Sequence, residues 1–207
     1  MSGGVATTST NSDQRRLLDR YLDELELWNR RLNLTTVARG QAWDRHVGES
    51  VELLCAAALP GGWRVADLGS GGGVPGVVIA VMRPDLAVTL VEADRRKAGF
   101  LVHIAGLLEL GNVTVAARRA EEMGGDPAHR EGYDAVVSRA AAPPPLLVRL
   151  SLPLLRPGGT LWALVANAQG AACDVGGDGT VGASRAVAPG ILAVEKRGPD
   201  AGALTEG

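Results

Sequence analysis

Residues 65–76 read VADLGSGGGVPG, and this stretch decides the fold. A short apolar run ends in the acid Asp67, five glycines follow within eight residues, and Pro75 opens a new apolar segment. That order is typical of a buried strand that turns tightly into a helix. Glycines permit positive φ and let a ligand approach the backbone, and the N–H groups that begin a helix attract anionic or nucleotide-like groups. The stretch therefore predicts a nucleotide-type ligand site at the end of a strand.

The length and composition of the chain indicate one soluble globular domain. It has 207 residues, of which 46% are hydrophobic and 21% are charged, and its formal net charge is −2. No apolar run reaches the roughly 18 residues that a membrane span needs, and residues 1–12 lack the apolar core of a secretory signal. We therefore expect a cytoplasmic chain without membrane contact, in which residues 1–12 form a disordered extension. Because the net charge is small, any contact with nucleic acid must come from local patches.

The two cysteines, Cys55 and Cys173, fit neither a metal-site spacing nor a disulfide framework. Cys55 lies in the apolar run LLCA, and this context predicts a small buried side chain. No metal ion is expected.

Hydrophobic spacing predicts an α/β chain behind two helices. Apolar residues recur at helical spacing over 13–32, and a second helix is predicted over 42–57. Predicted strands at 64–68, 87–91, 113–117, 133–138 and 160–165 then alternate with helices at 75–82, at 94–110 and from the prolines 143–145 to about 152. This alternation predicts a mostly parallel, doubly wound Rossmann-like sheet with an N-terminal helical extension.

The end of the chain carries weaker signals. Residues 155–159 (LRPGG) predict a turn, residues 167–184 show no period, and 186–188 with 191–194 predict a hairpin at the sheet edge. Residues 197–207 predict a flexible tail. We therefore expect one domain at 13–196, with a helical cap at 13–62 and an α/β core at 63–196.

Two cofactor classes fit the glycine-rich stretch. Residues 71–76 match the dinucleotide pattern G-x-G-x-x-G, and Glu92, at the end of the second strand, is suited to bind a ribose in either class. The acid at Asp67 precedes the first glycine by two residues, and no later segment presents the His or Lys groups that hydride chemistry needs. The order Asp67, Gly69, Gly71, Gly73 resembles class I S-adenosylmethionine-dependent methyltransferases. S-adenosyl-L-methionine is therefore favoured, and an NAD-dependent oxidoreductase is the distant alternative.

Six short motifs form a wider pattern along the chain. They are Trp28-Asn29, 32–35 (LNLT), 44–50 (DRHVGES), 67–76 (DLGSGGGVPG), 119–122 (RAEE) and 138–140 (SRA). Together they resemble the RsmG/GidB family, which methylates N7 of a guanine in the 530 loop of bacterial 16S ribosomal RNA. The resemblance covers roughly residues 28–164, and Glu49 stands where the family's Arg-His-x-x-Asp-Ser motif has an aspartate.

The resemblance implies a role for each matching residue. Asp67, Gly69, Ser70, Gly71 and Gly73 would form the loop against the methionine part of S-adenosyl-L-methionine. Glu92 would bind the ribose hydroxyls, and Ala120 and Glu121 would border the adenine. The catalytic side would contain Arg45, His46 and Arg139, which face the substrate, and Ser138 beside the methyl group, with Arg139 also bordering the cofactor.

The implied chemistry needs few catalytic groups. N7 of guanine carries a lone pair and no proton, so its methylation needs no general base. Catalysis then depends on alignment of the methyl group with a restrained guanine. Arg139 is suited to hold the guanine O6 or a phosphate, because a guanidinium donates paired hydrogen bonds. The expected partner is 16S ribosomal RNA or the small ribosomal subunit, bound by a monomer.

Two departures from the family pattern support a second interpretation. The family's fifth strand ends in a Lys-Gly pair, whereas Val165 occupies the lysine position here. The Gly/Ala-rich region after it is predicted to be short, where the family carries a helix and two strands. The alternative is therefore a degenerate member that binds S-adenosylmethionine or RNA with little turnover.

Overall fold

The computed structural model describes residues 10–139, 141–174 and 180–198. The expectations for residues 1–9 and 199–207 lie outside these ranges. Four helical segments precede the sheet: α1 (Ser12–Leu32), α2 (Arg39–Ala42), a π-helical turn (Trp43–Gly48) and α3 (Glu49–Ala57). The strands are β1 (Arg64–Leu68), β2 (Ala87–Val91), β3 (Val113–Ala116), β4 (Tyr133–Arg139), β5 (Leu155–Leu164), β6 (Val181–Ala188) and β7 (Ile191–Lys196). The later helices are α4 (Gly76–Met82), α5 (Arg95–Leu107), α6 (Ala120–Gly125), α7 (Pro144–Ser151) and α8 (Ala168–Asp174).

The strands described form one sheet in the order β3-β2-β1-β4-β5-β7-β6. The first five strands are parallel, and β7 pairs antiparallel with both β5 and β6. The strand order reverses between β1 and β4, and ligands of such sheets bind at the carboxyl ends of the strands at this point. The mostly parallel Rossmann-like α/β fold predicted from the sequence is confirmed.

Alternate residues along the strands belong to two hydrophobic clusters, which lie on opposite faces of the sheet. On β1, Val65 belongs to the cluster that also contains side chains of α1, α3, α4 and α5. Ala66 and Leu68 belong to the cluster that contains side chains of α7 and of β7. Helices therefore cover both faces, as buried parallel strands require.

Helix α1 is part of this packing. Asn11 accepts a hydrogen bond from the Gln14 backbone, and the Gln14 side chain accepts one from the Asn11 backbone, which forms a capping box. The helix buries Leu18, Tyr21, Leu22 and Leu25 on one face. Because Tyr21 lies on that face, it reaches the loop after β1.

The structure corrects three expectations. The predicted turn 155–159 is a bulge inside β5, because Tyr133 of β4 pairs with Leu155 and Ala135 already pairs with Thr160. The region after β5 contains α8, which was not predicted, whereas β6 and β7 form the predicted hairpin at the sheet edge with longer strands. Cys55 is exposed rather than buried. Helix α6 was not predicted from the sequence, because a helix of only six residues is too short to show a hydrophobic period.

No helix among the residues described is both long enough and apolar enough to cross a membrane.

Candidate cofactor and substrate site

The loop between β1 and α4 depends on glycine for its conformation. Gly69, Gly71 and Gly73 have φ of 69°, 53° and 91°, in the left-handed region that side chains disfavour. A Cβ at Gly73 would also lie 2.6 Å from Cγ2 of Val77, whereas a Cβ at Gly71 would meet nothing closer than 3.7 Å. The loop is thus tightly packed against the protein at Gly73 and less crowded at Gly71.

Asp67 lies fully buried at the end of β1. Its Oδ2 accepts a hydrogen bond from Gly76 N at 3.1 Å, whereas its Oδ1 has no hydrogen-bond partner among the residues that the structure describes. Burial raises the pKa of Asp67 to about 7, although the Ser70 hydroxyl, the Gly76 N–H and the Arg139 charge oppose that rise. A buried acceptor with an unused oxygen is suited to a cationic or donor group of a ligand.

Ser70 and Ser138 hold the backbone around Asp67. Ser70 Oγ donates to the Asp67 carbonyl at 2.9 Å, and Ser138 Oγ donates to the Leu68 carbonyl at 2.8 Å. Both side chains are buried. Ser138 thus joins β4 to β1 at the point where the strand order reverses, and its place beside a methyl group stays a prediction.

Glu92 lies directly after β2 and contacts the glycine loop. Its Oε2 accepts a hydrogen bond from Gly71 N at 2.9 Å, and its Oε1 accepts one from Asp94 N at 2.8 Å. Ala120 and Glu121 begin α6 after β3, where Ala120 is half-buried and Glu121 is exposed. Apart from Arg139 at the end of β4, the predicted cofactor residues therefore lie at the carboxyl ends of three adjacent strands, β1, β2 and β3.

Arg139, the last residue of β4, is held by the helical segment. Its Nη1 donates to Nδ1 of His46 at 2.7 Å and to the Arg45 carbonyl at 3.0 Å. His46 is fully buried in the π-helical turn, and its Nε2 lies 3.1 Å from Thr35 Oγ1. The structure thus brings together two residues that are 93 positions apart in the chain.

The donors and acceptors fix the state of His46. A guanidinium only donates, so Nδ1 must accept and the ring proton must reside on Nε2, from which it is donated to Thr35. Burial, and next the Arg139 charge, lower the pKa of His46 to about 4. His46 is therefore a neutral acceptor for Arg139.

Asn29 extends this chain of contacts to α1. Its Nδ2 donates to the Thr35 carbonyl at 2.8 Å, and its Oδ1 accepts from Thr35 N at 2.9 Å. The Asn29 amide therefore fixes the backbone that presents the Thr35 hydroxyl to His46. We call Asn29, Thr35, His46 and Arg139 the polar chain.

Tyr21 is a contact that sequence reasoning missed. Its hydroxyl donates to the Gly72 carbonyl at 2.6 Å, and burial raises its pKa. The helical spacing of α1 puts Tyr21 on the core face, and a buried tyrosine hydroxyl usually finds a partner. Those signals predict a hydrogen bond, but they do not predict that its acceptor lies in the glycine loop.

A cavity of about 720 Å³ lies beside Arg139. It is lined by residues 33–37, Arg45, Glu49, Glu52, Arg139, residues 164–166, Pro189 and Gly190. We call it the Arg139 cavity. Arg45 is largely exposed and pairs with Glu49 at 3.1 Å, so the residue that departs from the family motif forms an ion pair in the cavity wall.

The predicted site residues thus fall into three groups. Arg45 and Arg139 line the Arg139 cavity, with His46 directly behind Arg139, whereas Asp67, the glycines and Glu92 surround the neighbouring loop. Ala120 and Glu121 lie farther along the sheet edge, after β3. Within the part of the chain that the structure describes, no group of three or more His, Cys, Asp or Glu side chains is arranged to hold a metal ion.

Solved structures share the fold at low sequence identity. A Corynebacterium glutamicum protein gives a TM-score of 0.59 at 18% identity, over 95% of this chain and 94% of that one. A predicted O-methyltransferase from Agrobacterium tumefaciens gives 0.56 at 20% identity, over 70% and 79%. The [4+2]-cyclase SpnF gives 0.50 at 22% identity, over 62% and 47%. Because a cyclase is among them, these similarities establish the fold alone.

Sequence comparison is more specific. Residues 14–175 match the family model of GidB, described as rRNA small subunit methyltransferase G. The protein of that name from Roseiflexus castenholzii is 44% identical over 159 residues, which cover 73% of this chain and 65% of the relative. The Sorangium cellulosum protein is 46% identical over 142 residues, which cover 67% and 59%. The matched part thus spans slightly less than two thirds of these relatives.

The family match covers most of the chain, and it includes the glycine loop, the π-helical turn and the end of β4. This chain therefore belongs to the GidB family, rRNA small subunit methyltransferase G.

Proposed function

We propose that this chain is an S-adenosylmethionine-dependent methyltransferase that methylates N7 of a guanine in the 530 loop of 16S ribosomal RNA. One observation carries the proposal. The glycine loop with its buried Asp67 lies at the same sheet edge as Arg139, which ends the adjacent strand and lines a cavity of about 720 Å³. A cofactor loop beside a cavity that contains a positioned guanidinium supports methyl transfer to an RNA base.

The residues of the loop fit S-adenosyl-L-methionine. Asp67 Oδ1, buried and without a partner among the described residues, would accept from the ammonium of the methionine part. At Gly71 a Cβ would contact only the Gly69 carbonyl, at 3.7 Å, so a ligand can approach the backbone there. Each Glu92 oxygen already accepts one backbone N–H and has a second lone pair for a ribose hydroxyl. We assign Ala120 and Glu121 to the adenine side.

The chain's own residues then have to align and restrain the guanine. Bound S-adenosyl-L-methionine supplies an activated methyl group on a sulfonium. Because guanine N7 carries no proton, no base is needed, and His46 is unsuited to be one since its Nδ1 already accepts from Arg139. The guanine ring gains positive charge as N7 is methylated, so we assign Arg139 to O6 or to a phosphate rather than to N7.

The membership of a methyltransferase family favours S-adenosylmethionine over a nicotinamide cofactor. The alternative of a member with little turnover is supported by one observation. Val165 lines the Arg139 cavity where the family has a lysine, so this part of the wall lacks a cation for the RNA backbone.

A methyl-transfer assay tests the proposal. Purified protein is incubated with tritiated S-adenosylmethionine and small ribosomal subunits from cells that lack this methylation, and the labelled base is then mapped. We expect one labelled guanine in the 530 loop, with subunits that already carry the methyl group as the negative control. Label at another base, or tight binding of NAD without binding of S-adenosylmethionine, would refute the proposal. Binding of S-adenosylmethionine without transfer would support the alternative.

A further inference from the structure

A second cavity, of about 330 Å³, lies beside the polar chain, three of whose residues line it. It is lined by Leu22, Leu25, Glu26, Asn29, Arg30, Thr35, residues 37–39, Ala42 and His46. Thr35 and Val37 line both cavities. A single segment of chain therefore separates the second cavity from the place where we put the target guanine.

The floor of the second cavity is apolar. Leu22, Leu25 and Ala42 are already buried as part of the core cluster on this face of the sheet, whereas Val37 and Ala38 keep apolar surface exposed in the lining. A flat aromatic group bound against Val37 and Ala38 would remove that apolar surface from water, which is favourable. The floor is thus suited to a nucleobase.

The rim of the second cavity is charged, and its two arginines differ. Arg39 donates through Nε and Nη2 to Asp23 at 3.0 and 2.6 Å. Arg30 is exposed and has no hydrogen-bond or ion-pair partner among the residues described, although Glu26 lies one helical turn before it. Arg30 is therefore available to an external anion.

We infer that this second cavity binds another nucleotide of the same RNA, close to the target guanine. The inference rests on the proposed function. The base would lie on the apolar floor, and Arg30 would pair with the phosphate. The Glu26 carboxylate repels phosphate but can accept a hydrogen bond from an exocyclic amino group of a base. It therefore favours a nucleotide whose base lies next to Glu26 and whose phosphate lies next to Arg30. Unstacked loop bases that enter separate protein pockets are the usual way in which single-stranded RNA is read.

The chain offers a matched pair of variants for the test. Arg30 and Arg31 are adjacent, exposed and in the last turn of α1, but only Arg30 lines the second cavity. Arg30→Ala and Arg31→Ala remove the same charge from the same region. Kd for undermethylated small subunits is measured for the full-length chain at several salt concentrations, with Kd for S-adenosylmethionine as the check on the fold.

We expect Arg30→Ala to raise Kd for the subunits about tenfold and to reduce the salt slope by about one. Arg31→Ala should raise Kd no more than about twofold, as a general charge effect. Equal effects of the two variants would overturn the inference. If the wild-type chain methylates the 530-loop guanine, that result leaves the proposed function standing.

A variant without charge change tests the cavity itself. Ala38 is exposed at the mouth of the second cavity, so Ala38→Leu adds volume there without disturbing the core. We expect Kd for the subunits to rise several-fold while Tm and Kd for S-adenosylmethionine stay unchanged. An unchanged Kd for the subunits with Ala38→Leu would overturn the inference as well.

Discussion

Replacement of His46 tests whether its Nδ1 holds Arg139 in place. His46→Ala removes one of the two acceptors that the described residues offer to Arg139, and only the Arg45 carbonyl is left. A hydrogen bond from a charged donor contributes about 1.5–3 kcal/mol. A loss of about 2 kcal/mol in the transition state corresponds to a roughly 30-fold fall in kcat/KM.

Two amide variants separate the two sides of the imidazole. The oxygen of His46→Asn can stand near the position of Nδ1, so this variant keeps an acceptor for Arg139 and loses the contact with Thr35. The amide of His46→Gln reaches the position of Nε2, so it keeps the contact with Thr35 and loses Arg139. We expect kcat/KM of His46→Asn within about fivefold of the wild type, and that of His46→Gln as low as that of His46→Ala.

Methyl transfer to undermethylated subunits gives kcat/KM, and thermal unfolding gives Tm for each variant. All three substitutions disturb a buried position, so each lowers Tm. If His46 had only a structural role, kcat/KM of the three variants would fall in the same order as their Tm. His46→Gln at least as active as His46→Asn would refute the role that we assign to Nδ1.

Three further substitutions test the neighbouring groups. Tyr21→Phe leaves the Gly72 carbonyl without its buried hydrogen bond, so calorimetry should show about fivefold weaker binding of S-adenosylmethionine, or about 1 kcal/mol; unchanged binding would contradict this. Asp67 has a folded-state pKa of about 7 against 3.8 for an unperturbed aspartate, so its ionisation costs stability as pH rises between these values. Asp67→Asn should therefore raise Tm over the wild type at pH 8 but not at pH 4, and weaken S-adenosylmethionine binding; a Tm gain independent of pH would count against this reasoning. Val165→Lys should increase methyl transfer several-fold by adding a cation to the Arg139 cavity, whereas the uncharged control Val165→Met should not, and equal gains would exclude the charge as the cause.

The sequence predicts the glycine loop and its strands well because their signals are local. The predicted strands 64–68 and 87–91 have the bounds of β1 and β2, and the predicted strand 133–138 ends one residue before β4 does. Apolar strands that end at an acid and glycines are recognisable within a dozen residues. The carboxyl edge of a parallel sheet then brings Asp67, Glu92 and Arg139 toward one region without further information.

The polar chain could not be predicted in the same way because its contacts are not local. His46 and Arg139 are 93 positions apart, and Tyr21 is 51 positions from its acceptor Gly72. A buried histidine in a helix has many potential partners, and the sequence does not say which one the fold supplies. The bulge in β5 was missed for a related reason. The Pro-Gly-Gly sequence at 157–159 indicates a break in strand pairing, but it does not indicate that residues on both sides of the break belong to the same strand.

These contacts give the N-terminal helical segment a part in both halves of the candidate site. Tyr21 of α1 holds the glycine loop, and Asn29 of α1 holds Thr35, which fixes His46 and through it Arg139. A reaction that needs no general base depends on the relative positions of donor and acceptor. Because one helix contacts the groups on both sides, a shift of α1 would move the cofactor loop and the Arg139 guanidinium together. The helical segment is therefore part of the alignment itself as well as part of the core.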